Sequence, residues 1–172
     1  MSKKSRDKGQ RGERQVAKIM SEWWGSDFTR TPSSGGFRTK KFRDDWNASA
    51  DLVTPDETFP FCVEVKNAEG WNLEQLIKSS DGMIWTWWDQ TVNQCTEGKI
   101  PLLCFTRNRQ PWFYMIQDCA MGGIAWVDNP YMSVWEVNRG ITVQIGLLSD
   151  LCATKPPDWT IHMWAITGVI AK

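Results

Sequence analysis

The first hydrophobic pattern along the chain has the period of a helix. Five apolar residues recur at helical spacing before Gly25, which predicts an amphipathic helix from residue 12: Val16, Ile19, Met20, Trp23 and Trp24. The eleven residues in front of it are polar and largely basic, so residues 1–11 predict a flexible arm. A short strand is expected at residues 28–31, before a turn-rich segment.

The next two apolar runs carry charge where a plain strand carries neutral residues. Asp51-Leu52-Val53 and Phe61 to Lys66 flank a turn-forming segment, so they predict a β-hairpin. Glu64 and Lys66 share one face of the second strand, roughly 6.5 to 7 Å apart, and strand pairing would set Asp51 across from Glu64. Facing carboxylates repel unless a cation lies between them, which indicates a metal site. The alternative is an ordinary ion pair on an exposed strand face.

Helical spacing returns after Lys66 and continues to about residue 96, with a predicted break at residues 80–82. Its tryptophans fit a buried helix face better than a stacking surface. Residues 100–105 form a nearly unbroken apolar run, typical of a strand buried on both faces, and residues 111–116 predict the next strand.

The last third of the chain predicts short elements without assignable chemistry. Edge strands or a dimer surface are the uses we expect for it. Strands are expected at residues 124–127, 133–137, 141–147 and 160–166, and a helical turn at 149–152.

Charge is unevenly distributed, although the formal net charge is zero. Residues 1–43 hold twelve Lys and Arg against four Asp and Glu, whereas residues 44–172 hold eight against sixteen. A basic front segment indicates a polyanionic partner, and a solvated tail that aids solubility is the alternative. The acidic remainder argues against a protein that coats nucleic acid over its whole surface.

Composition excludes several classes of protein. The 172 residues suffice for one domain, and the five cysteines are odd in number without a C-x-x-C pair, which predicts reduced thiols in a cytosolic protein. The single histidine, His162, is too few for a His-rich zinc site or a His-dependent nucleophile triad. No apolar run approaches a membrane span and no Gly-rich phosphate loop occurs, so we expect a cytoplasmic protein without membrane contact or nucleotide cofactor.

The order of the charged positions resembles the PD-(D/E)xK nuclease superfamily. Gly9 to Arg14 contains a G-x-x-x-E-R helix start, Arg30 to Gly36 an R-x-P-x-S-G segment, and Asp51 precedes the E-V-K strand at Glu64. The closer likeness is to archaeal-type Holliday junction resolvases and their phage-encoded relatives, over roughly residues 8–117. It implies an α/β, restriction-endonuclease-like fold, with a central mixed β-sheet flanked by helices.

The resemblance also implies a domain plan and has departures. One nuclease domain would span residues 12–172, with its core at 12–117 and a β-rich extension at 118–172. The loop at residues 37–50 is longer and richer in charge than is usual in the family, and the extension has no counterpart. The Trp-rich helix near residues 85–90 looks like those of the phage-encoded nucleases.

The resemblance assigns roles to residues. Asp51, Glu64 and the Val65 backbone carbonyl would hold Mg²⁺, with Mn²⁺ as a substitute, and Lys66 would orient the attacking water or stabilise charge on the phosphate. Glu13 would act through a water or a second ion, although a first-turn acid favoured by the helix dipole is the alternative for it. Ser34 is a further catalytic candidate and Gln90 an accessory one. DNA contacts are expected from Lys8, Arg11, Arg14, Arg30, Arg38, Lys40, Lys41 and Arg43.

The implied activity is symmetric phosphodiester hydrolysis in four-way DNA junctions by a homodimer. Another DNA nuclease of the same fold, such as a nickase, an exonuclease or a restriction-type enzyme, would use the same catalytic residues. A non-catalytic DNA-binding module that keeps the fold is the alternative from a different class.

Overall fold

The computed structural model of the chain describes residues 3–31, 47–49, 51–118 and 131–153. The helices in these ranges are α1 Lys3–Trp24, α2 Gln75–Lys78, α3 Met83–Gln94 and α4 Leu148–Ala153. The strands are β1 Thr29–Arg30, β2 Asn47–Ser49, β3 Leu52–Thr54, β4 Phe61–Asn67, β5 Ile100–Thr106, β6 Phe113–Gln117, β7 Met132–Glu136 and β8 Ile141–Leu147.

Five strands form the main sheet, in the order β4-β5-β6-β8-β7. Strands β4 and β5 are parallel, and the other neighbours are antiparallel. Because side chains alternate along a strand, β5 places Leu102 and Cys104 in the core under α1 and α4, and Leu103 and Phe105 in the core under α3. The predicted restriction-endonuclease-like arrangement, a mixed sheet flanked by helices, is confirmed.

A second, smaller sheet contains the strand that follows Asp51. It has the antiparallel order β1-β3-β2, with Arg30 opposite Leu52 and Ser49 also opposite Leu52. The predicted hairpin between β3 and β4 is therefore wrong. Both edges of β3 are occupied by β1 and β2, so β4 pairs with β5 instead.

Helix α1 begins earlier than its apolar spacing predicts. Residues 3–11, expected as a flexible arm, form its first turns. Lys, Arg and Gln are good helix formers, and Lys8 makes a salt bridge with Glu69 beyond the end of β4. Apolar periodicity misses such turns because they bury little apolar surface.

The C-terminal hairpin is part of the main sheet rather than an appendage. Strand β8 pairs with β6, and Gly146 lies so close to Tyr114 that a Cβ there would stand 2.6 Å from a ring carbon.

The break before α3 and the elements predicted at residues 133–137, 141–147 and 149–152 are confirmed, with shifts of one residue at the ends of β7 and α4. The strands predicted at 124–127 and 160–166 lie outside the described residues.

Two expectations from composition can be compared with the described ranges. Four cysteines there are free thiols: Cys62, Cys95, Cys104 and Cys152. Every helix in the same ranges is too short or too polar to cross a bilayer.

Candidate active site

Asp51 connects the two sheets. Its backbone N–H donates to the Val63 carbonyl of β4 at 3.0 Å, and its own carbonyl accepts from the Thr31 N–H at 2.8 Å. Its side-chain Oδ2 accepts a hydrogen bond from the Val65 N–H at 2.9 Å. These contacts point the carboxylate of Asp51 toward the middle of β4, where the sequence predicted that it would meet Glu64.

The Val65 backbone faces Asp51 and not the neighbouring strand β5. In an extended strand, the N–H and C=O of one residue point to the same side. Since the Val65 N–H donates to Asp51, the Val65 carbonyl also lies on the Asp51 side of β4. The structure therefore places this predicted carbonyl ligand next to the predicted carboxylate ligand.

One carboxylate oxygen of Glu64 accepts two hydrogen bonds, and the other accepts none from the described residues. The residue is 2% exposed, and its Oε1 accepts from Lys66 Nζ at 2.5 Å and from Gln90 Nε2 at 3.0 Å. Its Oε2 is buried without a hydrogen-bond partner in the described residues. The contact between Glu64 and Lys66 confirms that they share a strand face, and Gln90 reaches the site from α3. An orphaned carboxylate oxygen is costly unless a ligand satisfies it.

Burial and like charge act together on the pKa of Asp51. Desolvation is the largest cause and repulsion from Glu64 the second, and they raise the pKa of Asp51 to about 7. The Val65 N–H and Lys66 act in the opposite direction, and Glu13 adds to the repulsion. The carboxylates of Asp51 and Glu64 therefore lie in one poorly solvated site, where a bound cation would offset their repulsion.

Glu13 approaches this centre from α1 but is paired with an arginine. Arg30 Nε donates to Glu13 Oε2 at 2.6 Å. Gly12 permits the approach, because a Cβ there would lie 3.1 Å from both Asn67 and Trp112. In the described ranges, no three Asp, Glu, Cys or His side chains lie close enough to bind one metal ion together. The site therefore has two carboxylates, Asp51 and Glu64, and Arg30 holds the carboxylate of Glu13 to one side of them.

The predicted DNA contacts are only partly within the described chain. Arg11 and Arg14 are exposed on α1, whereas Lys8 bonds to Glu69 and Arg30 to Glu13. The remaining predicted positions lie outside the described residues: Ser34, Arg38, Lys40, Lys41 and Arg43.

Arg139 fixes α3 and is not among the residues that the sequence predicted. Arg139, in the turn between β7 and β8, forms a two-point ion pair with Asp89, with N–O distances of 2.8 and 2.6 Å. It also donates to the Ser80 carbonyl and lies over the Trp85 ring, 4.8 Å from its centroid. Asp89 precedes Gln90, so this clamp holds the helix that reaches Glu64. No local signal marks the pair, because its members are 50 residues apart in sequence.

Comparison with known proteins agrees with this geometry. The family described as "Phage putative PDDEXK endonuclease" matches residues 4–141, a stretch that includes Glu13, Asp51, Glu64 and Lys66. Protein D14 of Escherichia phage T5 is 29% identical over 117 residues, which cover 65% of this chain and 70% of that protein. No solved structure gives a significant match. The family match covers most of the chain and confirms the predicted superfamily: the chain belongs to the phage PDDEXK endonuclease family.

Proposed function

We propose that this protein is a metal-dependent DNA endonuclease that hydrolyses phosphodiester bonds in four-way junctions. The observation that carries the proposal is the pairing of the half-buried Asp51 with the buried Glu64, brought together from two sheets beside Lys66. Membership of the endonuclease family supports the nuclease activity. The junction preference is supported by the motif order, which resembles that of Holliday junction resolvases.

The donor set suits Mg²⁺, with Mn²⁺ as a substitute. All its candidate ligand atoms are oxygens, and Mg²⁺ is usually bound through one or two carboxylates together with waters and substrate phosphate. Asp51, Glu64 and the Val65 carbonyl would hold it, and Glu64 Oε2 is the buried atom that lacks another partner. Bound there, the ion would supply a more acidic water and offset charge on the phosphate.

The residues around the pair have distinct tasks in hydrolysis. The water oxygen bonds to phosphorus and gives up a proton, one P–O ester bond breaks, and the leaving oxygen takes up a proton. Lys66 Nζ, next to Glu64 Oε1, would orient that water or stabilise charge on the phosphate. Arg30 fixes the direction of the Glu13 carboxylate through their 2.6 Å contact. Three carboxylates against two cationic side chains leave a negative centre, which attracts a divalent cation.

Substrate binding would rely on phosphate contacts and not on reading of bases. Arg11 and Arg14 lie exposed on α1, next to the turn of the helix that bears Glu13. A resolvase cuts two strands symmetrically, so we propose a homodimer that presents two such centres to one junction. Branched shape would then determine the choice of substrate.

A digestion panel tests this function. Four-way junction, nicked, flap and linear duplex DNA are incubated with the protein, with Mg²⁺ or with a chelator. We expect paired symmetric nicks in the junction, only with Mg²⁺. Equal cutting of linear duplex would indicate another nuclease of the fold, and binding without any cutting would indicate a non-catalytic module.

Gln90→Ala is expected to lower the cleavage rate by about 10- to 100-fold and to raise the Mg²⁺ concentration needed for half-maximal rate. Gln90 orients Glu64 through Oε1, so its loss lets the carboxylate turn. Cleavage rates across a Mg²⁺ titration check this, with Asn93→Ala, an exposed amide on the same helix, as the control. An unchanged rate and an unchanged Mg²⁺ midpoint would contradict the positioning role.

A further inference from the structure

Arg109 has a backbone conformation that favours glycine. Its φ is +63°, and it is the only residue other than glycine with positive φ in the described ranges. The four other positive-φ residues there are Gly25, Gly70, Gly98 and Gly140. An L side chain in this region costs free energy that glycine avoids. An arginine at such a position indicates that its side chain has a role that outweighs this cost.

The turn that carries Arg109 is firmly built. Thr106 Oγ1 lies 3.0 and 2.9 Å from the carbonyl oxygens of Gln110 and Pro111, which share its single proton. Arg107 donates to the Trp71 carbonyl at 2.6 Å and lies over the Trp71 ring, 5.0 Å from its centroid. The side chain of Arg107 therefore stabilises the turn through its contacts with Trp71. Arg109 is exposed and forms no salt bridge with any residue that the structure describes.

The turn lies at the same end of the main sheet as the candidate active site. Because β4 and β5 are parallel and Lys66 is in register with Phe105, both strands run out at this end. Glu69, just after β4, accepts a hydrogen bond from the Asn108 N–H at 3.0 Å and another from Lys8 of α1. Arg109 therefore belongs to a continuous surface with α1 and the end of β4.

We propose that Arg109 binds a backbone phosphate of the DNA that enters the active site. A guanidinium suits phosphate oxygens in charge and in geometry, and no described acidic side chain competes for this one. The inference rests on the proposed function, since it takes DNA as the substrate. It extends the DNA-binding surface from the basic front segment to the turn between β5 and β6.

Arg109→Gly separates phosphate binding from folding. Glycine suits the positive φ, so the melting temperature is expected to stay the same or to rise. The Kd for junction DNA, measured by fluorescence anisotropy without Mg²⁺, should rise about 3- to 10-fold, and the slope of log K against log salt should become shallower by about 0.9. Lys78→Ala removes a positive charge that is also exposed, on α2, where it is paired with Glu74, and should change neither Kd nor the slope.

The two proposals fail in different ways. If wild-type protein binds and cuts DNA but Arg109→Gly keeps its Kd and its salt slope, the role of Arg109 is overturned and the nuclease function stands. If Arg109→Gly raises the Kd without changing the salt slope, the phosphate contact is also overturned. Wild-type protein that neither binds nor cuts any DNA would overturn both.

Discussion

Asp51→Asn is expected to abolish DNA cleavage while the variant still binds the junction. The amide keeps the shape of the carboxylate, and its oxygen can still accept from the Val65 N–H. What it loses is the negative charge opposite Glu64 that a divalent cation needs. We expect a fall of about 10³-fold or more in the single-turnover rate, because the change removes part of the catalytic centre itself.

Asp81→Asn is the matched control for this prediction. Asp81 is exposed and contacts the neighbouring Ser80 hydroxyl, away from the centre, so its neutralisation should leave the rate unchanged. Junction affinity is measured beside the rate for both variants. Asp51→Asn protein that cuts at more than about a tenth of the wild-type rate would refute a catalytic Asp51.

A second large effect is expected on stability. Saturating Mg²⁺ or Mn²⁺, at about 100 times its Kd, stabilises a protein by about 2.7 kcal/mol. For a chain of this size that corresponds to a rise in melting temperature of about 5–10 °C. The shift should vanish in Glu64→Gln, because the buried Oε2 that lacks a partner is then no longer part of a carboxylate. Thermal unfolding across a metal titration measures it without any need for cleavage.

Glu97→Gln serves as the control, since Glu97 is exposed in the turn before β5 and should keep the full metal-induced shift. An equal metal-induced shift in wild-type and Glu64→Gln protein would place the metal elsewhere.

A further expectation concerns the metal-free protein. Asp51→Asn should unfold at the same temperature as wild type or above it, because it removes a desolvated charge near Glu64.

Local patterns predicted much of the candidate site. Period-two alternation along residues 61–66 set Glu64 and Lys66 on one face, and the 2.5 Å contact between them agrees. The same alternation does not depend on which strand lies next to β4. Asp51 and Glu64 still come close together although the predicted hairpin is wrong, because two hydrogen bonds join Asp51 to β4.

Features that depend on distant partners were not predictable. Both strand partners of β3 lie before it in sequence, and nothing within residues 51–66 favours β1 and β2 over β4. The ion pair between Arg139 and Asp89 could be predicted only if it were known that the β7–β8 turn lies against α3. The positive φ of Arg109 is a property of the folded turn, and its sequence contains no glycine that would have indicated it.

The most direct test of the metal-dependent nuclease is the single-turnover cleavage rate of junction DNA as a function of Mg²⁺, for wild type beside Glu64→Gln. We expect a wild-type rate that rises to saturation with Mg²⁺ and disappears with a chelator. Glu64→Gln should remain slower by about 10³-fold or more at every Mg²⁺ concentration. Wild-type cleavage in the presence of chelator, or Glu64→Gln cleavage within a few-fold of wild type, would contradict it.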